Sequence, residues 1–293
     1  MAHYEREKDS TLSPGCLAIE FIKKRYIRMF PEYALAFLIL AAYNVFALGK
    51  DIYHIMIKGF WEFFMLNSIG MELHVNGISW YASVLIVASY CVYFMLHKFK
   101  DTYIYFLAPL IFGIIYVCIY RNIGYIDVVQ SRHFIIWDGL WRGIAEINLG
   151  IISYKIYIKY KNVLAERLRW FTSVAEIFLL TFITAIMWRT RHDEKDFIIA
   201  VLIALFIIIV ASNGGILSNL LNNKISIFLG SISYSMYIHQ NIFVKVPKQF
   251  FLGHSYWLTA CIVILLWIIF AIMSYYFIKK LIIITINSDN NYM

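Results

Sequence analysis

Residues 256–278, YWLTACIVILLWIIFAIMSYYFI, run on without one charged side chain. A helix needs about 20 predominantly apolar residues to cross the hydrocarbon core of a bilayer, and this stretch supplies them. Working back towards the N-terminus, stretches of the same kind recur near 31–49, 78–97, 102–120, 139–158, 170–188, 196–212 and 227–246. Together they predict an all-α fold, a polytopic transmembrane helix bundle of about eight spans. The composition agrees: 61% of the 293 residues are hydrophobic, 15% are charged, and the mean hydropathy is +0.69. A soluble globular domain carries about 45–50% apolar residues. Only 4 Pro and 14 Gly leave no room for a collagen-like or Gly/Ser-rich chain.

Segment 52–71 is also apolar, but His54, Lys58 and Glu62 recur four apart along one helical face, which favours an interfacial or re-entrant helix over a further span. Most of the 26 Lys and Arg residues fall in loops on the side of the N-terminus, and the positive-inside rule then puts both termini in the cytoplasm. The domain reading is a cytoplasmic segment over 1–20, a membrane domain over 21–281 and a cytoplasmic tail over 282–293. The first thirty residues hold EREKD and IKKRYIR and do not read as a cleavable signal peptide. The formal net charge of +8 gathers beside hydrophobic segments, as topology signals do, so the bilayer is the expected partner and nucleic acid is not. Cys16, Cys91, Cys118 and Cys261 form no CxxC pair; three lie in apolar stretches, where buried thiols are ordinary packing residues.

Ionisable groups inside a span cost about 2.5–3.5 kcal/mol each on insertion scales, so each should face a partner, water or substrate. Arg142 and Glu146 are four apart in GLWRGIAEINLG, which makes a self-neutralising ion pair or a substrate-facing pair. Glu176 reads as a near-interface carboxylate or as the partner of a neighbouring helix. His239 is followed by Gln240 and Asn241, and three consecutive polar side chains are expensive in an apolar span, which singles this histidine out. Before the first span, Arg25 and Arg28 share one face if the segment is helical. They serve either as positive-inside anchors or as a clamp for a phosphorylated cytoplasmic ligand, since guanidinium forks bind phosphate bidentately. His133 and Asp138 have the His-x4-Asp spacing of soluble-face glycerolipid acyltransferases, but that motif needs a soluble α/β domain, so the match is read as coincidence. No clustered His, Cys and Asp set implies a metal, and P-loop, HExxH and GxSxG patterns are absent.

Three segments, in order, resemble the acyltransferase family 3 proteins, bacterial integral-membrane enzymes that O-acylate cell-surface sugars. FIKKRYIRMFPEY over 21–33 is similar to the family's Arg-x-x-Arg run leading to Pro-x-Tyr. NGISWYAS over 76–83 resembles its Trp-x-x-Ser opening of a span. LGSISYSMYIH over 229–239 resembles its Leu-Gly-x-Ile-Ser-Tyr-x-x-Tyr-x-x-His signature, with His239 one position nearer to Tyr237 than the signature has it, and is the most specific of the three. A weaker match, RGIAEINLG, covers Arg142–Gly150. The family pattern opens with two further spans that carry an arginine and the histidine proposed to act in acyl transfer. These would precede residue 1, so the resemblance implies an N-terminally incomplete domain.

The resemblance implies a protein of the bacterial plasma (inner) membrane. It would take an acyl group, in the simplest case acetyl, from acyl-CoA and pass it to a hydroxyl of a cell-surface or exopolysaccharide sugar. It further implies phosphate contacts from Arg25 and Arg28, a secondary acid/base or orienting role for His239, and an acceptor path lined by Trp80, Ser83, Arg142 and Glu146. Acyl-CoA would be a donor substrate and a glycan the acceptor, with no tightly bound cofactor and no metal. The rival readings are a transporter or flippase of polysaccharide precursors, for which buried charges are equally suited, and an inactive remnant of the family.

Overall fold

The computed structural model describes residues 1–69, 75–127, 137–189, 193–245 and 256–290. All regular structure among the described residues is helical. In chain order the helices are α1 (Ala2–Glu7), α2 (Pro14–Phe46), α3 (Ile52–Phe63), α4 (Trp80–Thr102), α5 (Ala108–Ile123), α6 (Asp138–Asn162), α7 (Arg169–Arg189), α8 (Asp196–Ala211), α9 (Ile216–Leu221), α10 (Lys224–Lys245) and α11 (Tyr256–Asn290).

Local chemistry sets several boundaries. The Ser13 hydroxyl accepts from the Cys16 amide at 3.3 Å and Pro14 opens α2, a serine-then-proline start that satisfies one amide and omits another. The Asp51 carboxylate accepts from the Tyr53 and His54 amides at 3.2 and 3.3 Å and starts α3. Gly124, with φ of 84°, ends α5 in the left-handed conformation that glycine adopts without strain. Between Trp80 and Ile123 the apolar run is broken at Lys100, whose φ of 47° and ψ of −122° leave the helical region, so it divides where two spans are expected.

Among the described residues, four stretches are long and apolar enough to cross a membrane: Pro14–Phe46, Trp80–Ile123, Arg169–Arg189 and Trp257–Lys280. The remaining expected spans fall on α6, which carries charged residues, on α10, and on α8, whose 16 residues give about 24 Å of helix. Many large apolar side chains point outward, among them Phe46 at 88% exposure and Trp188 at 92%. Water would not tolerate so much exposed apolar surface, whereas lipid matches it. The chain is an integral membrane protein. Cys91 and Cys261 also lie on exposed faces rather than in the packed interior expected of them, and Cys118 is half-buried.

The chain divides into two compact units. Unit 1 comprises Met1–Ile22, Ser68–Gly70 and Val84–Asn223; unit 2 comprises Lys23–Asn67, Met71–Ser83 and Lys224–Met293. In unit 1, Tyr4 and Leu17 join Val92, Leu96, Tyr103 and Ile151 in one core. Glu5 and Lys155 form an ion pair that ties α1 to α6. Further packing joins α5 to α6, α6 to α8, and α7 to α8.

In unit 2, α10 packs on α11, and Phe37, Leu40, Ile55 and Val75 make a second core. At 12 residues α3 is too short to span, in keeping with the interfacial expectation for 52–71. His54 and Lys58 are exposed, but Glu62, expected on the same polar face, is fully buried. The helix ends against the 75–79 turn, which supplies the donors that Glu62 needs.

Candidate functional site

Ser235 and His239 lie one turn apart on α10 and therefore share a face. Glu32 comes from α2, directly after Pro31, and Ser274 from the middle of α11. The four side chains meet inside unit 2, and none is more than 5% exposed. The Ser235 and Ser274 hydroxyls both donate to Glu32 Oε1, the latter at 2.9 Å. His239 Nε2 stands 3.1 Å from Ser274 Oγ and 3.9 Å from Glu32 Oε1. The Phe270 ring meets the imidazole edge-on at 5.0 Å between centroids. His239 Nδ1, also buried, has no hydrogen-bond partner among the described residues.

A second buried carboxylate organises the neighbouring turn. Glu62 accepts from the Val75 amide at 2.9 Å, the Asn76 amide at 2.6 Å and the Ser79 hydroxyl at 3.1 Å. Its backbone carbonyl takes the Tyr33 hydroxyl at 2.6 Å. Asn76 then donates to the Ile238 carbonyl and accepts from Asn241, both at 3.2 Å, so the turn is stitched to α10 on either side of His239. Tyr237 donates to the Ile78 carbonyl. Every one of these groups would otherwise stand as an unsatisfied dipole in an apolar surround, at a cost of about 1–3 kcal/mol each.

Arg25, Arg28 and Glu32 follow one another on α2 at spacings of three and four, which places them on one face, with Arg25 and Glu32 two turns, or about 10 Å, apart along the axis. Arg25 is half-buried within electrostatic reach of Arg28 and Tyr81, and Arg28 is exposed. Trp80 is half-buried and packs edge-on against Tyr81, whose ring in turn contacts Tyr237; Ser83 is fully buried.

The family model of an acyltransferase domain matches residues 16–276. The chain belongs to acyltransferase family 3. Membership implies transferase activity on an acyl donor, carried out by an integral membrane protein. No curated protein and no solved structure gives a significant match to this family 3 chain.

The family resemblance of 229–239 acquires a physical content in this acyltransferase. Tyr234 donates to the Met29 carbonyl at 3.3 Å, Ser235 to Glu32, and Tyr237 to the Ile78 carbonyl, while His239 approaches Ser274. The segment thus directs four polar side chains of one helix, the motif's Tyr234 and Tyr237 together with Ser235 and His239, at partners on α2, the 78–79 turn and α11. Ser233 bonds only within its own helix.

Other residues flagged in the sequence of this family 3 member lie in unit 1. Arg142 Nε donates to Glu146 Oε1 at 2.7 Å, and Arg142 Nη1 lies 3.5 Å from Asp127 Oδ1, so the i,i+4 pair is formed and gains a third member. Glu176 is the partner of another helix: it accepts from the Leu217 and Ser218 amides at 2.8 and 3.3 Å at the start of α9. A Cβ at Gly215 would collide with the Glu176 carboxylate, so the close approach requires glycine there. His133 lies outside the described residues. Among the described residues no group of three or more His, Cys, Asp or Glu is arranged to hold a metal ion.

Sequence reasoning passed over Glu32, Ser274 and Asn76. Glu32 carried a signal, since it stands seven residues after Arg25 beside a proline. Ser274 carried almost none, because a serine in an apolar span ordinarily bonds its own helix.

Proposed function

We propose that this chain transfers an acyl group, acetyl in the simplest case, from acyl-CoA to a hydroxyl of a cell-surface sugar, working in the bacterial plasma membrane with about eight spans and both termini cytoplasmic. The observation that carries the reading is the buried Glu32–Ser235–His239–Ser274 cluster, with a histidine nitrogen that has no partner among the described residues. O-acyl transfer needs a base for the hydroxyl proton and polar groups for the oxyanion that develops on the thioester carbonyl. His239 serves this step as the secondary acid/base or orienting group that the family pattern assigns to it: the sugar hydroxyl gives up its proton as its oxygen attacks, the tetrahedral adduct collapses, the C–S bond breaks, and the proton passes to the departing CoA thiolate.

Arg25 and Arg28 hold the donor's phosphates on the face of α2 that leads to Glu32 two turns away. Trp80 and Ser83 serve the acceptor from their own place in unit 2, and Arg142 and Glu146 are assigned to the acceptor side on the strength of the family pattern. No metal and no tightly bound cofactor enters the proposed reaction.

The test is transfer of labelled acetyl from acetyl-CoA to a cell-surface oligosaccharide by the protein in proteoliposomes. Arg25→Ala with Arg28→Ala should raise the KM for the donor at least tenfold while the protein still inserts, and Trp80→Ala should raise the acceptor KM instead. A double arginine variant with an unchanged donor KM would reduce the pair to a topology anchor and overturn the donor assignment.

A further inference from the structure

We propose that Glu32, acting through Ser274, is a positioning residue that holds His239 in the tautomer protonated on Nε2, so that the Nδ1 lone pair is presented to the substrate hydroxyl as a secondary acid/base. The inference rests on the acyl-transfer reading for its purpose, but its argument is hydrogen-bond arithmetic on the cluster itself.

A serine hydroxyl has one proton to give and two lone pairs to receive with. Ser274 gives its proton to Glu32 Oε1 at 2.9 Å. Ser235 gives its own to the same oxygen, whose two lone pairs take both. Ser274 therefore has only lone pairs to offer His239 Nε2, 3.1 Å away, and that nitrogen must be the donor. In a neutral imidazole one nitrogen carries the proton and the other does not. Nδ1 is then an acceptor, and it is the ring nitrogen left buried without a partner among the described residues.

The arrangement serves both halves of a proton transfer. Before reaction, the Nδ1 lone pair accepts the O–H of the acceptor, a neutral alcohol. When that proton moves to Nδ1, the imidazolium bears N–H on both nitrogens, and its Nε2–H points through Ser274 at the Glu32 carboxylate, which stabilises the new positive charge. Ser235 holds the carboxylate in place from α10, one turn from the histidine it serves. Phe270 closes the ring edge with an apolar contact that offers no competing donor.

The experiment is 15N NMR of the full chain, with its histidines ring-labelled, in lipid nanodiscs. The His239 signals are assigned by their loss in His239→Gln. The wild type should show the Nε2–H tautomer. Ser274→Ala should release the ring into a mixture with the Nδ1–H form and lower kcat roughly 10- to 100-fold at unchanged KM, because a wrongly set tautomer impairs base catalysis without moving the binding groups. Ser274→Thr, which keeps the hydroxyl, should restore both the tautomer and the rate. A wild-type ring protonated on Nδ1, or a Ser274→Ala ring still wholly Nε2–H, would overturn the proposal even if the protein transfers acyl groups. The expected tautomer and its loss in Ser274→Ala, found in a protein without transferase activity, would uphold the relay and overturn the acyl-transfer reading.

Discussion

Two buried carboxylates of unit 2, Glu32 and Glu62, do different work, and the contrast lies in what donates to them. Glu62 takes two backbone amides and a hydroxyl and holds a turn, so its role is structural. Glu32 takes two serine hydroxyls, one of which leads on to a histidine. Glu62→Leu would leave the Val75 and Asn76 amides buried without an acceptor and should destabilise the protein by about 3 kcal/mol or more. Glu62→Gln, which keeps an acceptor oxygen, should lose less, and thermal unfolding in detergent followed by tryptophan fluorescence separates the two. Equal Tm values for the wild type and Glu62→Leu would show that the turn does not depend on this carboxylate. At this scale the sequence was partly legible. His239 stands out because Gln240 and Asn241 follow it, and Arg142 with Glu146 announces a pair by spacing alone. The destination of Glu62 was not legible, because a carboxylate four residues beyond a lysine on a short helix has the same pattern whether it meets water or the amides of a turn thirteen residues away.

At the scale of elements, hydropathy located the helices inside the membrane and stopped short where helices run on beyond it. The first span was expected from residue 31, but α2 begins at Pro14, and the charged run through Arg25 and Arg28 belongs to the same helix. Periodicity of charge carries no membrane signal, and a proline at 31 reads as a boundary even though the surrounding structure accommodates it. The break at Lys100 was legible, because Lys98, Lys100 and Asp101 interrupt the apolar run. The docking of α1 was not, since it depends on contacts between residues far apart in sequence, Tyr4 in the unit 1 core, Glu7 with Tyr93, and Glu5 with Lys155. The last of these contacts makes a pH prediction. Hydrogen bonding to the Lys155 ammonium holds the Glu5 carboxyl below its ordinary value of 4.5. A group whose folded pKa is depressed stabilises the folded state above its unfolded pKa, and that stabilisation fades as the pH falls through the folded value. A spin label on α1 should therefore be immobile at neutral pH and gain mobility below about pH 4.5. Lys155→Gln should be mobile at neutral pH already, and a label with the same mobility in both proteins at pH 7 would show that the ion pair does not dock the helix.

At the scale of the molecule, the outward-facing apolar surface and the family 3 match agree on an acyltransferase set in a lipid bilayer. Composition alone made the bilayer legible, since an excess of apolar residues of this size cannot be buried within a chain of 293 residues. The family came from motif spacing, and the motif in turn makes sense as a set of contacts radiating from α10. The proposed chemistry turns on His239 and on its Nδ1, which has no hydrogen-bond partner among the described residues. The most direct test is the initial rate of CoA thiol release from acetyl-CoA, dependent on added oligosaccharide, for the protein in proteoliposomes. The wild type should release thiol at a rate that rises and saturates with the acceptor, and His239→Ala should lose roughly 100-fold or more of that rate while inserting and unfolding as the wild type does. An acceptor-dependent rate that survives intact in His239→Ala would contradict the account.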